Sequence, residues 1–124
     1  MTEALESSAA LYKSFEPLLS DSDRRLWSSH SEHLLADMRE AMRQDGVGAG
    51  WDNVAWIGAW DVDPTTVKCP VLLWYGTEDR MAQPIHAHWY AANLPDARLT
   101  MREGEGHLQP LEHLSEMLAQ LMTA

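Results

Sequence analysis

The sequence predicts an α/β fold in which N-terminal helices precede a βαβα unit with two parallel strands. Three observations support this prediction. Apolar residues recur at helical spacing over 1–60, the period then changes to a short continuous apolar run after Cys69, and a second short strand follows a crossover of helical length. We therefore expect a helical segment, 1–60, and a βαβα segment, 61–124.

The helical segment is expected to contain three helices. Apolar positions at helical spacing indicate the first two: Leu5, Ala9, Tyr12, Phe15 and Leu19, then Trp27, Leu34, Met38 and Met42. Ser20 followed by Asp23 is typical of a capping box that begins the second helix. Three glycines, Gly46, Gly48 and Gly50, predict its end, and a short third helix is expected over 51–60. The polar stretch 61–68 is expected to be a hinge.

The βαβα segment begins with the apolar run 70–75, which predicts a strand buried on both faces and ended by Gly76. Pro84 is expected to open a helix that Pro95 stops, and a second strand is expected over 97–102. A crossover of this length favours two parallel strands. Four leucines form the apolar stripe of a last helix: Leu111, Leu114, Leu118 and Leu121.

Two side chains with catalytic chemistry follow the predicted strands. Asp79 comes directly after the first strand, and His107 lies in a glycine-flanked turn after the second. Parallel strands end at the same edge of a sheet, and neighbouring strands are only about 4.8 Å apart. We expect the two side chains to meet there. A carboxylate bonded to one ring nitrogen fixes the histidine tautomer and leaves the other nitrogen free to accept a proton from a nucleophile.

Three ordered stretches, Pro70-Val71-Leu72-Leu73-Trp74-Tyr75-Gly76-Thr77-Glu78-Asp79, Leu94-Pro95-Asp96-Ala97-Arg98 and Glu105-Gly106-His107, resemble the closing segment of α/β-fold hydrolases. The resemblance covers about 61–124 and implies that Asp79 is the acid and His107 the histidine of a catalytic triad. Residues 1–60 resemble more loosely the last helices of the family's cap, the lid over the substrate pocket. Gln83 stands where many relatives have a proline.

The sequence contains no nucleophile of the kind that this family uses. In the family the nucleophile lies in a G-x-S-x-G elbow before the acid and the histidine. None of the nine serines has a glycine two positions away on both sides, and the run 46–50 has Gly48 where the nucleophile would stand. The oxyanion-hole donor that follows the nucleophile is missing for the same reason. We therefore expect the isolated chain to be inactive.

Each candidate residue also has a structural interpretation. Asp79 can be a turn residue that bonds only its own loop, and His107 can be a solvated loop histidine. Three tryptophans, Trp51, Trp56 and Trp60, could line an acyl pocket, but their spacing favours packing. Cys69 is expected to be a small buried apolar residue. Neither a metal site nor a cofactor is expected, because the spacing of the six histidines does not suit zinc.

Composition and charge narrow the function further. The formal net charge is -10, without a basic cluster, so we expect neither nucleic acid nor a membrane as partner. The N-terminus shows no basic stretch followed by an apolar core, and no apolar run is long enough to span a bilayer. The chain is therefore expected to be cytoplasmic. The sequence predicts a hydrolase-family protein acting on an ester, amide, epoxide or similar bond of a small-molecule substrate once a nucleophile-bearing half completes it. The alternative is an inactive binding or scaffold module derived from a hydrolase. In either case the helices of 1–60, a second copy or a partner chain is expected to cover the exposed strand edge.

Overall fold

A computed structural model describes residue 10 and residues 12–123. Its helices and strands follow in the order α1 (Asp21–Ala41), α2 (Val47–Ile57), β1 (Val71–Gly76), α3 (Pro84–Asn93), β2 (Ala97–Arg102) and α4 (Pro110–Leu121). Helical residues 12–15 and a 3-10 turn, Glu16–Leu18, precede α1. Leu5 and Ala9 of the first predicted helix lie outside the described residues. None of the described helices has both the length and the apolar character needed to cross a membrane.

The start of α1 is the best-packed part of the helical segment. The predicted capping box is confirmed, since the Asp23 N–H donates to the Ser20 hydroxyl (3.1 Å) and the Ser20 N–H donates to the Asp23 carboxylate (3.0 Å). Leu26 and Trp27 are buried one turn later, and the Tyr12 ring lies 5.2 Å from the Trp27 ring. The start of α1 therefore provides the buried contacts that stabilise the helical segment.

The predicted bounds of the third helix are wrong. Helix α2 begins at Val47 rather than 51 and ends at Ile57, and its N-cap is Gly46 in the left-handed conformation (φ 74°). Of the three glycines in this run, Gly46 alone has positive φ. Gly48 and Gly50 lie inside the helix, where each costs about 1 kcal/mol relative to alanine. The glycine run therefore begins α2 and does not end α1, which already stops at Ala41.

The predicted pair of parallel strands is confirmed. Strands β1 and β2 pair in parallel from Val71 opposite Ala97 to Gly76 opposite Arg102, and α3 packs against both strands. Hydrogen bonds from the N–H groups of Val71 and Thr77 reach the β2 side. Alternate backbone groups point to opposite edges of a strand, so those of Leu72 and Trp74 point to the other edge of β1, where the described residues place no strand.

The apolar surfaces of the βαβα segment are only partly covered. The prediction that β1 is buried on both faces is wrong, because Val71–Tyr75 is half-buried. The four leucines of the α4 stripe are also about half exposed, and no residue of α4 is buried. Cys69 is exposed, which contradicts the expectation of a buried side chain. Within the described residues this half of the protein lacks the layers that would bury its core.

Candidate functional site

The loops that follow the two strands run side by side. The Glu78 N–H donates to the Glu105 carbonyl (2.9 Å), and the Gly104 N–H donates to the Thr77 hydroxyl (2.9 Å). Any Cβ at Gly76 would overlap the Glu105 carbonyl, so only glycine allows this approach. The parallel pairing thus continues beyond the strands and carries the next residues of both loops to one edge.

The structure brings Asp79 and His107 together at that edge. Asp79 Oδ2 lies 2.9 Å from His107 Nδ1. The other carboxylate oxygen, Oδ1, accepts the backbone N–H groups of Met81 and Ala82, each at 2.8 Å. Asp79 is 6% exposed. Asp79 therefore both bonds its own loop and pairs with His107, because each contact uses a different carboxylate oxygen.

The His107 ring is positioned to present its second nitrogen. Its side chain is 42% exposed, and Nε2 has no hydrogen-bonding partner among the described residues. The ring lines a cavity of about 350 Å³ together with Asp79 and four consecutive residues of β1, Leu72–Tyr75. Consecutive strand residues point to opposite faces, so a cavity that touches all four lies along the strand edge. An imidazole held in this way can accept a proton from a group placed in the crevice.

Asp23, at the start of α1, lies directly behind the His107 turn. Its Oδ1 accepts the Leu108 N–H at 2.7 Å, and it is 0% exposed. Burial raises the pKa of Asp23, but hydrogen bonds from the backbone of Leu108, from Ser20 and from the backbone of His107 outweigh burial and hold the pKa below its ordinary value. The capping-box pattern in the sequence does not disclose this long-range contact.

A second cluster of polar side chains lies at the carboxyl end of β1. Glu105 Oε1 lies 3.0 Å from His113 Nε2 and accepts from the Arg102 guanidinium at 3.2 Å. Gln109 is buried, and its amide is oriented with the oxygen 2.7 Å from the Gly76 N–H and the nitrogen 3.3 Å from Glu105 Oε2. The Gly76 N–H points to the open edge of β1, so Gln109 ends the row of free backbone groups there.

A smaller cavity of about 200 Å³ also borders the Asp79 loop. It is lined by Trp56 of α2, Tyr75, Met81, Ala82, His86 and Tyr90. The packing interpretation of the three tryptophans is wrong within the described residues, where Trp51, Trp56 and Trp60 are each more than half exposed. Burial raises the pKa of Tyr75, and the nearby Tyr90 and Asp79 raise it further, which keeps the phenol protonated at neutral pH.

The described residues contain no cluster of three His, Cys, Asp or Glu side chains that could hold a metal ion. His86 and His88, the closest pair in the α3 sequence, are both exposed. The Asp79–His107 pair has the residue types that acid–base chemistry uses.

Comparison with known proteins gives one informative similarity. A pimeloyl-[acyl-carrier protein] methyl ester esterase of Aromatoleum aromaticum is 36% identical to this chain over 98 residues, which cover 77% of the chain. The chain spans only 37% of the length of that esterase. No family model matches the chain, and no solved structure gives a significant match. The similarity supports a hydrolase-family relationship.

Proposed function

We propose that this chain supplies two members of a hydrolase triad, Asp79 as the acid and His107 as the base, and that a nucleophile on another polypeptide segment completes it. One observation carries the proposal: the 2.9 Å contact between Asp79 Oδ2 and His107 Nδ1 leaves Nε2 at the edge of an open crevice, where no described residue bonds it. Carboxylic esters are the first substrate class to test, because the similar protein is an esterase.

In the proposed reaction His107 moves protons and Asp79 holds it in place. Nε2 accepts the hydroxyl proton as the nucleophile attacks the ester carbonyl carbon, and the imidazolium then donates this proton to the departing alcohol. Water repeats the sequence on the acyl group and releases the acid. Asp79 stabilises the imidazolium, and its bonds to Met81 and Ala82 prevent the carboxylate from turning away.

The nucleophile-bearing segment is proposed to pair with the open edge of β1. The backbone groups of Leu72 and Trp74 point there, and the cavity beside His107 runs along the same edge. A strand added in parallel would end at the same level as β1, so the loop after it would face Nε2. The exposed leucine stripe of α4 supports the same proposal, because such a surface marks a contact site.

The helical segment, 1–60, is the proposed lid. Helix α2 places Trp56 in the small cavity beside Met81 and Ala82, which hold Asp79 through their N–H groups. An aromatic and thioether lining suits an apolar acyl or alcohol group. The apolar acyl or alcohol group of the small-molecule substrate would then lie between α2 and the Asp79 loop.

Ester hydrolysis by the chain alone and by the chain joined to the polypeptide encoded directly upstream tests the proposal. We expect hydrolysis only with the joined protein, and a fall of about 10⁴-fold in kcat for Asp79→Asn, as a triad acid requires. His107→Ala should lose at least as much activity. Glu78→Gln and His88→Ala, which alter an exposed carboxylate and an exposed histidine, are the matched controls.

Two outcomes would contradict the proposal. If Asp79→Asn and His107→Ala leave hydrolysis unchanged, the assignment of the site is wrong. If the joined protein folds but hydrolyses no ester, amide or epoxide, the alternative of an inactive binding or scaffold module is favoured.

A further inference from the structure

We propose that Asp23 is a positioning residue that holds the His107 turn in the orientation in which the ring meets Asp79. The inference rests on the proposed function of the Asp79–His107 pair and adds to it a residue of the helical segment, 85 positions from the turn residue that it contacts.

The Asp23 carboxylate divides its two oxygens between α1 and the histidine turn. Oδ2 accepts the backbone N–H of Ser20 (3.0 Å) and its hydroxyl (2.8 Å), which fixes the carboxylate on α1. Oδ1 accepts the N–H of Leu108, the residue directly after His107, at 2.7 Å. A charged acceptor in a fully buried position makes these bonds strong.

The start of α1 also contacts the residue on the other side of His107. A Cβ at Gly106 would overlap the Asp23 carboxylate and the Ser20 hydroxyl, so α1 occupies the space that a side chain would need. Gly106 and Leu108, the residues on either side of His107, are thus both in contact with Asp23. The backbone on either side of His107 is fixed, and the direction of the imidazole follows from it.

Asp21 shows what an ordinary acidic residue does in the same helical turn. Its side chain is 93% exposed, and within the described residues it pairs with Arg24 of the same helix, at 2.9 Å. Both carboxylates complement the helix dipole, but only Asp23 reaches the histidine turn. Asp21→Asn therefore removes the same charge from the same turn of α1 without touching the site.

Asp23→Asn tests the inference because the amide has one acceptor oxygen and must face either Ser20 or Leu108 with its NH₂ group. We expect the Leu108 amide to exchange with solvent about tenfold faster or more, as for a lost hydrogen bond to a charged group. In the same variant the share of neutral His107 protonated at Nδ1, measured by long-range ¹⁵N–¹H correlation, should fall. Asp21→Asn should change neither quantity.

One result would overturn the inference: Asp23→Asn lowers the melting temperature, but its Leu108 exchange rate and its His107 tautomer are the same as in Asp21→Asn. Asp23 would then act only as a helix cap. If Asp23→Asn does not fold, Ser20→Ala, which keeps the carboxylate and removes one of its donors, takes its place with the same expected directions and the same contradicting result. A wild-type chain without Nδ1–H on His107 would instead contradict the proposed function, so the two failures are distinguishable.

Discussion

His107 Nδ1 and Asp79 Oδ2 lie 2.9 Å apart although 28 positions separate the two residues in the sequence. The parallel pairing of β1 and β2 causes this proximity, because it brings the loops after both strands to one edge of the sheet. Helix α3 provides the crossover, and glycine at position 76 allows the two loops to touch. The pair is therefore a consequence of backbone topology and not of a local turn.

Removing the Asp79 carboxylate altogether should destabilise the protein more than exchanging it for an amide. Asp79→Ala leaves the N–H groups of Met81 and Ala82 without an acceptor, whereas Asp79→Asn keeps one oxygen for them. We expect the alanine variant to be less stable than the asparagine variant by about 1–3 kcal/mol. Urea unfolding measures the difference, and equal midpoints would show that the Asp79 loop does not depend on these bonds.

Two glycine substitutions should have opposite effects. Gly76→Ala forces a Cβ against the Glu105 carbonyl and should cost about 1–3 kcal/mol or more, because backbone must move. Gly48→Ala adds a Cβ that meets nothing within 4 Å inside α2 and should stabilise the protein by about 0.5–1 kcal/mol. Thermal unfolding monitored by circular dichroism checks both signs. Stabilisation by Gly76→Ala would contradict the close approach of the two loops.

Protonation of Asp23 should destabilise the folded chain in acid. Its pKa lies below the ordinary value of 3.8 in the folded state, so its contribution to stability is complete above about pH 4 and is lost as the pH falls through the lowered pKa. Urea midpoints at pH 6 and pH 3 should therefore differ less in Asp23→Asn than in the wild type.

Asp63→Asn is the control for this pH dependence. The side-chain and backbone hydrogen bonds of Thr65 lower the pKa of Asp63 as well, but Asp63 is exposed, and its contribution is screened by solvent. We expect a smaller effect of Asp63→Asn than of Asp23→Asn on the acid-induced loss of stability. A larger effect of Asp63→Asn than of Asp23→Asn would show that the buried Asp23 carboxylate is not the main cause of the acid-induced loss of stability.

The isolated chain should associate with itself through the open edge of β1. Light scattering during size-exclusion chromatography should show dimers or larger species whose share rises with concentration, because apolar strand edges pair. Leu72→Pro removes an N–H that points to the open edge and should reduce association, whereas a strand edge tolerates proline at such a position. A wild-type chain that remains monomeric at all concentrations and melts cooperatively would contradict this prediction.

The sequence predicted the βαβα unit well because its signals are local. The apolar run that ends at Gly76, the prolines that flank α3 and the strand beginning at Ala97 each indicate one element, and all three agree with the structure. Parallel pairing followed from the length of the crossover. Once the strands were placed, the proximity of Asp79 and His107 followed from their positions after the strand ends.

The contact between α1 and the His107 turn could not be predicted from the sequence, because it joins two distant segments of the chain. Asp23 has the spacing of any capping residue, and its bond to Leu108 has no sequence signature. The exposure of Cys69, of the three tryptophans and of β1 was predicted wrongly for a different reason. Apolar spacing predicts which face a residue occupies, but it does not say whether the described chain contains a layer that covers this face.

The protonation of His107 tests the central claim most directly. If Asp79 orients the ring as the base of a triad, ¹⁵N–¹H correlation of the neutral wild-type side chain should show the proton on Nδ1, with Nε2 free. In Asp79→Asn, whose oxygen stays with the Met81 and Ala82 N–H groups, the amide NH₂ faces the ring and should move the proton to Nε2. A wild-type ring protonated at Nε2, or a tautomer that Asp79→Asn leaves unchanged, would contradict the account.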